Sequence, residues 1–217
     1  MSASYGPADF QRETGVSRET RARLERYVDL LTRWQRRINL VSTASLEHVW
    51  CRHVLDSAQL LALAPEPPAD RRALCWTDLG SGAGFPGLVL AILGAGEMHL
   101  IESDARKCAF LREAARVTEC AVTVHNARIE ALTPWASDVI TARALAPVGR
   151  ILELSQPFAR PGTVLLLPKG KTFADELTEA RESWTIACDP VPSRTAPDAR
   201  ILRITDFEKR QPEKPAP

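Results

Sequence analysis

The chain has 217 residues, 45% of them hydrophobic, with 28 Lys and Arg against 27 Asp and Glu and a formal net charge of +1. That balance suits one globular domain with a full core, and excludes a disordered chain or a uniformly basic coat for nucleic acid. No apolar run reaches the ~18 residues of a membrane span, and MSASYGPADFQRETG lacks the pattern of a secretion signal, so a cytoplasmic protein without membrane contact is expected.

Residues 1–16 show no periodicity and read as a loose lead-in. From Ser17, a helix-capping residue type, Leu24, Tyr27, Val28, Leu31, Trp34 and Ile38 recur at three and four, which predicts a helix. A second helix is predicted after Ser45, with Leu46, Val49, Trp50, Val54, Leu60 and Leu61 on one face. The stretch PEPPADRR (65–72) stops it, because closely spaced prolines lack N–H groups and cannot continue a helix. The division expected is an N-terminal helical extension over 1–70, a main domain over 71–208, and a disordered tail over 209–217.

Beyond the prolines, short apolar runs at 74–79, 98–101, 121–124, 138–141 and 164–167 alternate with helical stretches at 88–93, 106–118, 148–158 and 173–183. Such alternation predicts an α/β domain with a mostly parallel central sheet. Two late runs, 184–191 and 201–205, have no helix between them and read as a closing hairpin that adds an antiparallel strand. Seven strands result. The five cysteines (Cys51, Cys75, Cys108, Cys120, Cys188) form no C-x-x-C pair and have no ligand-spaced histidine, so reduced thiols and no metal are expected.

The segment TDLGSGAGFPG (77–87) follows the first predicted strand and opens a helix. Gly80, Gly82 and Gly84 allow left-handed backbone and a close approach to a ligand. Glu102, at the end of the second strand about twenty residues on, can accept both hydroxyls of a ribose. Residues 82–87 satisfy the dinucleotide pattern G-x-G-x-x-G, whereas the same loop read from Asp78 gives D-x-G-x-G-x-G, as in S-adenosylmethionine-dependent methyltransferases. The short main domain has no room for a separate catalytic domain, and the closing hairpin suits a methyltransferase better, so S-adenosyl-L-methionine is the favoured cofactor. An NAD(P)-dependent oxidoreductase and a non-catalytic RNA-binding module are the alternatives.

Methyl acceptors differ in what they require. No cysteine follows proline, the place after the fourth strand reads TARA rather than an Asn/Asp-Pro-Pro-aromatic turn, and no lysine precedes the first strand. Guanine N7 has a free lone pair and no proton to remove, so it needs positioning rather than a general base. Arg143 and Lys169 follow the fourth and fifth strands, at the carboxyl edge where α/β sheets bind ligands, and are the candidate catalytic residues, through phosphate or O6. Residues 18–37 hold seven arginines against three acids, with Trp34 among them, a face able to track RNA phosphates. NLVS (39–42) and RHVLDS (52–57) carry no mechanism of their own in the sequence, beyond His53 and Asp56 standing three apart on one helix face.

In order, NLV (39–41), RHVLDS (52–57), DLGSGAGFPG (78–87), ES (102–103) with RKxxFL (106–111), ARIE (127–130), ARA (142–144) and PKG (168–170) resemble the bacterial guanine-N7 methyltransferases of 16S ribosomal RNA, the RsmG or GidB family. The resemblance implies a Rossmann-like class I methyltransferase fold, S-adenosylmethionine as donor, and a guanine of 16S RNA or the small ribosomal subunit as acceptor; separately, a monomer is expected. It further implies cofactor contacts from Gly80, Phe85, Ile129, Glu130 and Arg143. Glu102 stands where many relatives have Asp, and Ile129 where Ala or Val is commoner; both changes keep the chemistry.

Overall fold

A computed structural model of the chain describes residues 5–67 and 73–210. Its centre is a seven-stranded sheet in the order β3-β2-β1-β4-β5-β7-β6. The strands are β1 (Leu74–Leu79), β2 (Gly96–Glu102), β3 (Thr123–Asn126), β4 (Val139–Ala142), β5 (Val164–Lys169), β6 (Trp184–Pro192) and β7 (Arg200–Lys209). The first five pair in parallel, and β7 runs antiparallel to both β5 and β6, as the closing hairpin predicts. Every residue of β1 and β4 is buried, so neither strand alternates between a core face and a solvent face, and their polar residues Thr77, Asp78 and Thr141 are hydrogen-bonded inside.

Successive side chains face opposite layers, so the sheet separates two cores. Met98, Leu100 and Leu166 belong to one, and Ile101, Leu165 and Leu167 to the other. The helices are α1 (Pro7–Thr14), α2 (Arg18–Gln35), α3 (Thr43–Leu46), α4 (Asp56–Ala58), α5 (Gly87–Ile92), α6 (Ala105–Thr118), α7 (Val148–Ser155) and α8 (Phe173–Ser183). Leu24, Tyr27 and Leu31 of α2 share the first core with Leu88 of α5 and Phe110 of α6, so the N-terminal helices complete the sheet's cover rather than forming a core of their own. Among the described residues, no helix is long and apolar enough to cross a membrane.

Three expectations need correction. The lead-in is not loose: within it α1 is bounded by Gly6, with Pro7 first in the helix and Gly15 at φ 71° closing it. Two turns bury only Phe10, against Trp50 at 5.8 Å, and a single core residue leaves no period to read. Phe10→Leu is expected to lower the unfolding free energy by about 1 kcal/mol in urea denaturation; a loose lead-in would register no change.

The second helix is broken. A π-helical turn, Trp50–Leu55, separates α3 from α4, which passes into the 3₁₀ turn Gln59–Leu63. A hydrophobic period reports the buried face but not an extra residue in one turn. The third strand is also later than 121–124, because Glu119 caps α6 at φ 51° and pairing with β2 begins at Thr123. Residues 68–72 of the proline stretch and 211–217 of the tail lie outside the described residues, while Lys209, where the tail was expected to begin, still belongs to β7.

Candidate functional site

The chain crosses from β2 to β4 on either side of β1, which opens a crevice at the carboxyl ends of these strands. The glycine loop fills its floor. Gly80 and Gly82 lie at φ 67° and 55°, and a Cβ on Gly80 would meet Leu145 Cδ1 at 2.6 Å. Gly84, at φ 92°, has a packing role instead: a Cβ there would meet Leu88 Cβ at 2.8 Å, so the glycine lets α5 close on the loop. The turn is held by Ser81 N donating to Ile101 O at 2.9 Å and Gly84 N donating to Ser81 O at 2.6 Å.

Two carboxylates anchor this loop from below and from the side. Asp78 is fully buried, its Oδ1 accepting from the Thr141 hydroxyl at 2.7 Å and its Oδ2 from Gly87 N at 3.3 Å. Burial pushes its pKa up from 3.8 to about 6, against the pull of those hydrogen bonds. Asp78 is therefore the root of the loop and does not line the cleft. Glu102 does line it: Oε2 accepts from Gly82 N at 3.0 Å and Oε1 from Asp104 N at 2.7 Å. Each oxygen keeps a lone pair for a ligand hydroxyl.

The cleft encloses about 910 Å³ and is closed on one side by Ile129 and Glu130, in a 3₁₀ turn after β3. Ile129 is half-buried against the second core, and Glu130 is exposed and paired with Arg150. Phe85 forms the opposite wall. His53 stacks on its ring at 4.7 Å and 21°, and the Arg143 guanidinium carbon lies 5.1 Å from its centre.

Arg143 is where the unexplained RHVLDS segment finds its role. Its Nη2 donates to His53 Nδ1 at 2.7 Å, and its Nη1 to Arg52 O at 3.3 Å and Asp56 Oδ2 at 3.5 Å. The π-helical turn and the start of α4 supply all three acceptors. Burial and the neighbouring Arg143 and Arg52 cations lower the His53 pKa to about 3, so the ring is neutral. Of five N–H groups on the guanidinium, Nε–H and one of Nη2 remain for a ligand.

Lys169 stands at the expected edge but faces a second cleft of about 570 Å³, which shares Arg52 and Arg143 with the first. Its Nζ is largely buried, donating to Ala146 O at 2.8 Å and Glu176 Oε2 at 2.7 Å. The structure thus gathers Gly80, Gly82, Phe85, Glu102, Ile129, Glu130 and Arg143 around one cleft, and leaves Asp78, Gly84 and Lys169 off its wall. Sequence reasoning assigned no role to Arg52, His53, Asp56 or the Leu40–Val41–Ser42 stretch of the cleft rim, although NLVS and RHVLDS were the signals. Gln35 fixes that rim, its Oε1 accepting from Leu40 N at 2.8 Å and Val41 N at 3.0 Å.

Residues 20–195 match the family model GidB, described as rRNA small subunit methyltransferase G. A protein of that name from Rhodospirillum centenum is 54% identical over 207 residues, spanning 95% of this chain and 94% of the relative. One from Rhodospirillum rubrum is 52% identical, spanning 94% and 98%. Among solved structures, a putative O-methyltransferase from Klebsiella pneumoniae superposes with a TM-score of 0.60 at 15% identity, covering 92% of this chain and 96% of that one. An O-methyltransferase from Bacillus cereus in complex with SAH gives 0.59 at 12% identity, covering 91% and 96%. These two likenesses establish the Rossmann-like methyltransferase fold.

Proposed function

Because the chain belongs to the rRNA small subunit methyltransferase G (GidB) family, we propose that it transfers the methyl group of S-adenosylmethionine to N7 of a guanine in 16S ribosomal RNA. Family membership removes the dinucleotide reading of the glycine loop and the non-catalytic one. The cleft fits the donor on its own chemistry. Bare glycine backbone at Gly80 and Gly82 admits a close ligand, Glu102 offers acceptors to ribose hydroxyls, and Ile129 gives an apolar surface to the adenine. When bound, the donor supplies a methyl carbon on a positively charged sulfur, to which the N7 lone pair bonds while the C–S electrons stay with sulfur.

The observation that carries the acceptor's side of this reading is the fixed, half-neutralised Arg143. Methylated N7 gains positive charge, so an unpaired cation beside it would oppose the reaction. Asp56 offsets the guanidinium, and the neutral His53 adds no charge of its own. The two remaining N–H groups can orient guanine O6 or a phosphate without abstracting any proton.

Purified protein, labelled S-adenosylmethionine and small subunits lacking the modification test the proposal, with the expected label recovered as 7-methylguanosine. Label at another atom, or none despite donor binding, would overturn it. Lys169→Ala is expected to leave donor affinity unchanged in calorimetry, because its Nζ is held by Glu176 outside the donor cleft. Gly80→Ala, strained at φ 67°, is expected to weaken that affinity; equal losses in both variants would contradict the division between the two clefts.

A further inference from the structure

The arginines of α2 and of the turn after it have two different fates. In the first half, Arg21 donates to Gln11 Oε1 at 2.8 Å, Arg26 Nε to Val117 O at 2.9 Å and Arg23 Nη2 to Glu119 O at 3.1 Å. These cations hold α1 and the C-terminal carbonyls of α6, where positive charge is favoured. They are structural. At the other end, the exposed side chains of Arg33, Arg36 and Arg37 make no hydrogen bond or ion pair with any described residue.

Those three arginines and Arg106 of α6 border a groove of about 750 Å³ between the two helices, with half-buried Trp34 and Ile38 inside it. Its one carboxylate, Glu113, is already held by both Arg116 Nε and Nη2, at 2.8 and 2.7 Å. Arg106 is shared with Asp104 at 3.3 Å, so in a chain of net charge +1 the unpaired positive charge of this surface is that of Arg33, Arg36 and Arg37. Along the chain the groove stands close to the cleft at two places. Arg37 precedes the Leu40–Val41–Ser42 rim by three residues, and Arg106 is followed directly by Lys107 on the cleft wall.

We propose that this groove docks the sugar–phosphate backbone of the ribosomal RNA beside its target guanine, with Arg33, Arg36 and Arg37 as phosphate ligands over an apolar floor at Trp34. The inference rests on the rRNA reading above. Planar guanidinium groups pair with phosphate oxygens in bidentate fashion, and side chains with no internal partner are free to do so. Arg33 in the last turn of α2 and Arg36 and Arg37 in the turn that follows it fall within five consecutive residues, which suits one or two adjacent phosphates.

The test compares wild type with the Arg33→Ala/Arg36→Ala/Arg37→Ala variant, measuring binding of a 16S RNA transcript across a salt series and donor binding by calorimetry. The expected result is a Kd for RNA raised about 100-fold at ~0.1 M salt and a log–log salt slope reduced by about 2, as three lost phosphate contacts require, with donor affinity unchanged. An Arg23→Ala/Arg26→Ala variant should lose thermal stability and keep its salt slope. The proposal is overturned if RNA affinity and slope survive the triple substitution, if the Arg23/Arg26 variant loses slope equally, or if the three arginines serve only binding to anionic vesicles. Wild-type protein that binds RNA through these arginines but methylates none of its guanines would support the groove and overturn the methyl-transfer reading.

Discussion

Arg143→Ala is expected to lower kcat/KM for methyl transfer by about 100-fold or more, with a smaller loss in donor affinity. The guanidinium spans Arg52 O, His53 Nδ1 and Asp56 Oδ2 at once, and it lines both clefts. A lysine could neither reach all three acceptors nor keep two donors aimed at a substrate, so Arg143→Lys should recover little. Single-turnover transfer to small subunits measures the effect, and activity within threefold of wild type would remove Arg143 from the mechanism. His53→Ala should act in the same direction by about tenfold, because it frees one end of a guanidinium that Arg52 and Asp56 still hold. With the His53 pKa near 3, no activity limb near neutrality should be assignable to that ring.

The second large effect concerns Asp78. Asp78→Ala leaves Gly87 N–H and the Thr141 hydroxyl without their buried acceptor, an expected cost of about 2–4 kcal/mol. Asp78→Asn can serve both, accepting from Gly87 and donating to Thr141, so its stability at neutral pH should lie near wild type. The pH dependence separates the two carboxyl states. Asp78 titrates near 3.8 in the unfolded chain and about 6 in the folded one, so the folded state binds its proton first and gains stability as pH falls through that window. His53 runs the opposite way: the unfolded chain protonates it near 6.5 and the folded ring only at about 3, so stability falls over the same window. The slopes oppose one another between about pH 4 and 6 in the wild type. In Asp78→Asn the opposing Asp78 contribution is gone, so stability should fall more steeply with falling pH than in the wild type, by up to about 1.4 kcal/mol per pH unit. Urea denaturation at several pH values reads this directly, and parallel profiles for the two proteins would refute it.

What the sequence disclosed follows from how local each cause is. The glycine loop and Glu102 were legible because left-handed backbone and a strand-end carboxylate are demanded by the chain within a few residues of themselves. The sheet was legible because buried parallel strands read as continuous apolar runs, and α8 was placed at both ends by its pattern alone. The setting of Arg143 was not, since its three acceptors come from about 90 residues earlier and reach it only through a π-helical turn. Lys169 was assigned to the right edge of the sheet, yet the direction of its side chain depends on Glu176, which no pattern links to it. The basic stretch over 18–37 looked uniform in one dimension; contacts with α1 and with the end of α6 are what set Arg21, Arg23 and Arg26 apart from Arg33, Arg36 and Arg37.

The cover that the N-terminal helices give the sheet has a consequence for how the chain emerges during synthesis. Tyr27 donates to Ala83 O across 56 residues, Arg23 to Thr118 O across 95, and Arg194 reaches Glu13 across 181. At about 5–20 residues per second, α2 waits roughly 5–20 s for the carbonyls that receive its arginines. Over that interval its apolar stripe lacks the cover of Phe110 and the rest of α6, and its stability as an isolated helix is marginal. Nascent chains paused before residue 118 therefore lack the α6 carbonyls that receive Arg23 and Arg26, and leave that part of α2 open to chaperones and proteases.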